Sequence, residues 1–202
     1  MEKEIRTMPV TLEVKKDGSN KPLVHGTVSV YNSESNMIVD KRGRKFIEVI
    51  EPGFFSGVLD QDVFATIEHD DNKIVGRSSA GTLKITDTPT ELRTENDVAP
   101  TTFGNDLLVN IGRGEIRGMS FAFQCKDGGD QWERRSGDVY KRTLKAGGCA
   151  ALLDITYTAN PVYSATAVEM RSLDKFEETI IPEFDEIKMN ENKRKVKLAH
   201  LS

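Results

Sequence analysis

The sequence predicts a mainly β protein, an all-β or mixed barrel with one or two helices. Three observations carry this. Short apolar, partly alternating runs recur between clusters of Gly, Pro, Asn and Asp, the punctuation of strands and turns. Helical periodicity is confined to one or two stretches, so strands do not alternate with helices as βαβ units require. No internal repeat or low-complexity array is present.

Residues 12–14 and 24–31 read as strands joined by the turn signal Asp17-Gly18-Ser19-Asn20. Residues 32–40 read as a loop. Residues 45–50 form the next strand, which Pro52-Gly53 stops, and residues 54–59 are expected as a short helix. Strands follow at 63–67, 81–86 and 91–95. Asn105-Asp106 can cap a helix through Ile111, with Gly112 and Gly114 ending it. The strand 119–123 comes next, then a turn at 126–131. Strands at 139–144 and 152–158 flank the small-residue loop Ala146-Gly147-Gly148. Asn160-Pro161-Val162-Tyr163 ends the last strand, and residues 165–171 begin a helix or an extended arm. Beyond Ser172 the chain turns rich in Glu and Lys. The expected organisation is a domain over 1–172 and a charged tail over 173–202.

A chain of 202 residues can hold one well-formed domain plus such a tail. Its net charge of -4 gives no field for nucleic acid, so a basic nucleic-acid face is not expected. No apolar run reaches the ~20 residues of a membrane-spanning helix. Residues 1–6 have no apolar core, which predicts no secretory signal. The two cysteines, Cys125 and Cys149, lack a CxxC partner and suit a reducing compartment rather than a disulfide framework. Three scattered histidines without a cysteine cluster offer no metal-ligand spacing, and no cofactor motif is present.

One segment stands out, Gly118-Met119-Ser120-Phe121-Ala122-Phe123. Alternation places Met119, Phe121 and Phe123 on one face of a strand and Ser120 and Ala122 on the other. A serine needs a base to become a nucleophile, and imidazole titrates in the right range. Of the histidines, His200 lies in the polar tail and His25 inside a strand, where a half-buried strand residue is the simpler reading. His69 ends a strand between polar residues, as a site residue at a barrel rim would. Asp154 follows two leucines, and a carboxylate in such a setting needs a partner; one of the nearby arginines is the plain structural choice, His69 the catalytic one. Glu115, Asp70 and Asp71 are substitutes for that third role. Gly118-Met119-Ser120-Phe121-Ala122 is not a G-x-S-x-G elbow, which argues against a lipase or esterase.

In collinear order, the segments 25–31, 46–55, Ile67-Glu68-His69-Asp70, Gly76-Arg77, Gly81-Thr82-Leu83, 114–123, Leu153-Asp154-Ile155-Thr156 and 160–163 resemble the prohead (procapsid maturation) serine proteases of tailed phages. That family is similar in fold to the herpesvirus assembly protease. The resemblance covers roughly residues 10 to 171. It implies a small β-barrel surrounded by a few helices, with Ser120 as nucleophile, His69 as general base and Asp154 as the acidic third member. It implies cleavage of scaffold and major capsid protein segments inside the procapsid, in the host cytoplasm. It also implies a tail used for packaging or cut by the enzyme itself, and activity switched on by dimerisation or crowding. The turns at 142–148 and at Gly76-Arg77 are the candidate oxyanion donors. The competing readings are a non-catalytic head-assembly or scaffolding protein on the same barrel, and a β-barrel binding module without a reactive serine.

Overall fold

The computed structural model describes residues 3–9, 12–16, 21–40, 42–160 and 173–179. Contacts divide the chain into two units, Met1–Thr166 and Ala167–Ser202. In the second, the described residues 173–179 form a helix. The turn signal at 17–20, the segment 161–171 and most of the expected tail, His200 included, lie outside the described residues.

The first unit is mainly β. In chain order its elements are β1 (Glu4–Pro9), β2 (Glu13–Lys16), β3 (Pro22–Val30), β4 (Ile38–Val39), β5 (Lys45–Ile50), β6 (Phe64–Ile67), β7 (Asp70–Arg77), β8 (Leu83–Asp87), β9 (Glu91–Asp97), α1 (Thr102–Gly112), β10 (Gly118–Cys125), β11 (Asp130–Arg134), β12 (Val139–Leu144) and β13 (Cys149–Thr158). They form three open sheets in the orders β1-β10-β13-β6-β7, β11-β12-β5-β4 and β2-β3-β9-β8. The expected barrel is therefore corrected in one respect: among the described residues, backbone pairing closes no sheet into a ring. Among those residues, no helix is long and apolar enough to cross a membrane, and no group of three or more His, Cys, Asp or Glu is placed to hold a metal ion.

One core serves the three sheets. Met119, Phe121 and Phe123 of β10 are fully buried with Val24 and Val28 of β3, Leu144 of β12 and Ile155 and Tyr157 of β13. Phe54, Phe55, Phe121 and Phe123 meet edge to face or tilted, with ring centroids 4.9–5.4 Å apart. Gly26 lets β3 approach β10: a Cβ there would lie 2.3 Å from Met119 Sδ.

Two expected helical features differ. Residues 54–59 are a run of turns, not a helix. Their amides bond three residues back, as from Ser56 to Gly53 and from Val58 to Phe55. Gly53 and Gly57 take positive φ of 78° and 85°, which no continuing helix allows. Helix α1 starts earlier than expected, because Thr101 is the cap and accepts from the Gly104 amide at 3.1 Å.

Candidate active site

Strand β10 runs antiparallel between β1 and β13, so Ser120 and Ala122 on its second face each have a neighbour on both sides. Ser120 faces Thr7 of β1 and Thr156 of β13, and Ala122 faces Asp154. Cross-strand partners point to the same face. The alternation that sends Met119, Phe121 and Phe123 into the core thus gathers hydroxyls and a carboxylate on the other side. Thr66 of β6 joins them through a 2.9 Å bond to Thr156.

His69 arrives from the β6–β7 hairpin. Ile67 pairs with Asp70, leaving Glu68 and His69 as a two-residue loop. Both take φ of 54°, the left-handed pair of a type I′ turn. Asn-Gly is the usual occupant, and each non-glycine residue there costs about 1–2 kcal/mol. Fixed bonds to β13 offset that strain. The Glu68 amide donates to the Tyr157 carbonyl at 3.1 Å, and the His69 amide donates to Thr156 Oγ1 at 2.9 Å. The Glu68 carboxylate accepts from Thr158 Oγ1 at 2.8 Å and from the Ala159 amide at 2.7 Å.

This turn brings the three expected residues together. His69 Nε2 lies 2.8 Å from Ser120 Oγ. His69 Nδ1 lies 2.5 Å from Asp154 Oδ1. With a carboxylate on Nδ1, the ring proton belongs there, and Nε2 is left to accept from the serine hydroxyl. The other Asp154 oxygen accepts from Lys3 Nζ at 2.9 Å. Burial raises the Asp154 carboxyl, but the hydrogen bonds from His69 and Lys3 outweigh it and hold the group below the usual carboxylate range. Among the described residues Asp154 pairs with His69 and Lys3, not with an arginine. The substitutes lie elsewhere: Asp70 binds Asn72 and Lys73, Glu115 binds Arg113, and Asp71 is exposed.

The candidate oxyanion turns need correction. Lys145, Ala146, Gly147, Gly148 and Cys149 already donate their amides to Gly129 O, the Glu51 carboxylate, Gly53 O, Lys145 O and Phe54 O. Arg142 is buried among Glu4, Glu48 and Asp130. Arg77 is paired with Asp62, and its amide donates to Thr82 Oγ1 at 2.9 Å. These amides and both guanidiniums are therefore already engaged. Cys125 and Cys149 are cross-strand partners, and burial pushes both thiols up to about 12, which keeps them protonated and poor nucleophiles. His25 is half-buried on β3. It lines a polar groove of about 540 Å³ with Glu13, Lys84, Arg93 and Glu95, which includes none of the three site residues.

Sequence reasoning missed the N-terminal strand. Ser120 Oγ also contacts the Arg6 carbonyl at 2.8 Å and Thr7 Oγ1 at 3.0 Å. Glu4 and Arg6 are fully buried, and with Glu48 and Arg142 they form an ionic cluster that ties β1 to β5 and β12. The signal that would have exposed β1 was inverted, because its charged residues face inward.

A serine, an imidazole and an ionised carboxylate in one hydrogen-bonded line are suited to acyl transfer, the chemistry of serine hydrolases. The chain belongs to the caudovirus prohead serine protease family, which matches residues 10–179. That membership supports a protease role in phage prohead maturation. No curated protein and no solved structure matches the chain.

Proposed function

We propose that this chain is the endopeptidase that cleaves scaffold and major capsid protein segments inside the procapsid, with Ser120 as nucleophile, His69 as general base and Asp154 as its acidic partner. The observation that carries the reading is the continuous line Ser120 Oγ, His69 Nε2, His69 Nδ1, Asp154 Oδ1, with links of 2.8 and 2.5 Å. His69 takes the Ser120 proton as Oγ attacks the peptide carbonyl. Asp154 fixes the tautomer and stabilises the imidazolium that forms. His69 then returns the proton to the leaving amine, and water attacks the acyl-enzyme with His69 again as base. The herpesvirus-assembly-protease relationship belongs to the same proposal, supported by the mainly β architecture and the family.

Ser120 is only 1% exposed, whereas the His69 side chain is 19% exposed. A substrate carbonyl therefore reaches Oγ only after local opening. This supports a resting enzyme that dimerisation or crowding in the procapsid switches on. The test is a fluorophosphonate probe applied to procapsids co-assembled with the major capsid protein, followed by peptide mapping. An adduct on Ser120, absent in His69→Ala, is the expected result. Assembled procapsids with no adduct would favour a non-catalytic assembly protein.

A further inference from the structure

We propose that Thr7 is a fourth catalytic residue, delivered to the nucleophile by strand β1; this rests on the protease reading of Ser120. The serine hydroxyl has one proton and two lone pairs. Two acceptors compete for that proton at 2.8 Å, His69 Nε2 and the Arg6 carbonyl. Only transfer to His69 leads to acylation. Thr7 Oγ1, 3.0 Å away, donates to a serine lone pair from the β1 side. A hydrogen already pointing at Oγ from that side crowds the orientation in which Ser120 donates to Arg6. It turns the serine proton toward His69.

The same contact strengthens as the reaction proceeds. When the proton leaves for His69, negative charge grows on Oγ, and the Thr7 hydroxyl becomes a donor to a charged acceptor. An interaction stronger in the transition state than in the ground state accelerates the step. Water does not replace it readily, because Thr7 is 6% exposed and Ser120 is 1% exposed. Strand β1 is held in register by the buried Glu4–Arg6–Glu48–Arg142 cluster, so the donor is fixed rather than recruited. Thr7 lies outside the segment that the family matches, residues 10–179.

An ordinary cross-strand Thr–Ser pair would contribute to sheet stability alone. The variants Thr7→Val and Thr7→Ser separate the two roles. Valine keeps the branched shape and loses the hydroxyl; serine keeps the hydroxyl. In co-assembled procapsids, the rates of fluorophosphonate labelling at Ser120 and of capsid-protein truncation are measured beside the melting temperature of each purified variant. The expected result is labelling and truncation about tenfold or more slower in Thr7→Val, and within about threefold of wild type in Thr7→Ser. Wild-type rates in Thr7→Val overturn the proposal. Equal slowing in both variants, tracking a shared loss of melting temperature, overturns it as well. Absence of labelling and truncation in the wild type instead overturns the protease reading beneath it.

Discussion

Replacing Asp154 tests the electrostatic half of the site. Its carboxylate touches His69 Nδ1 at 2.5 Å and is 4% exposed. Taking the charge centres as roughly 4 Å apart with an effective dielectric near 20, its attraction for the imidazolium is about 4 kcal/mol. Asp154→Asn removes that charge and permits the wrong tautomer, so turnover should fall by about three decades. Lys3 on the second oxygen trims this figure, since it already neutralises part of the charge. The assay is the rate of capsid-protein truncation in co-assembled procapsids, with the melting temperature measured on the purified protein. The pH dependence gives a second readout. Because the folded carboxyl is held below its ordinary 3.8, its pairing contributes stability above that pH and loses it as pH falls through the folded value. The stability difference between wild type and Asp154→Asn should therefore be flat at neutral pH and shrink below about 3.8. Truncation by Asp154→Asn within threefold of wild type would refute the argument.

Three further outcomes follow from the same geometry. His69→Ala should abolish truncation while leaving the far-UV spectrum unchanged, and it should cost more than Asp154→Ala. Glu68→Ala removes the clamp on Thr158 and Ala159 and frees the left-handed turn; truncation should slow by about tenfold while the domain melts cooperatively, and Glu68→Gln should recover part of the loss. Arg142→Ala leaves Glu4, Glu48 and Asp130 short of a buried cation, which should cost about 3–5 kcal/mol in urea unfolding.

Much of this site was legible because its residues break the pattern of their strands. Ser120 interrupts an apolar strand on the side opposite Met119 and Phe121, and Asp154 interrupts another. Strands at 45–50 and 139–144 match β5 and β12 residue for residue: the first is a largely apolar run buried on both faces beyond Lys45, and the second alternates, burying Tyr140, Arg142 and Leu144. What was not legible has a common cause. Strand β1 buries Glu4 and Arg6 and leaves Ile5 half-exposed, the reverse of a readable alternation. Strand β7 begins Asp70-Asp71-Asn72-Lys73, polar enough to pass for a surface turn, so the hairpin that aims His69 was hidden. The Phe54–Leu59 stretch has helical-looking hydrophobicity, but Gly53 before it and Gly57 within it, both in positive φ, turn it into successive turns. Only spatial neighbours, invisible in a single chain, reveal that Thr7 and Lys3 reach the site.

The most direct measurement is co-expression of this chain with the major capsid protein proposed as its substrate, wild type against Ser120→Ala, followed by intact-mass analysis of both polypeptides. Truncated capsid protein is expected with wild type and intact capsid protein with Ser120→Ala, with shells assembled in both. Identical truncation by Ser120→Ala, or intact masses in both samples with shells present, would contradict it.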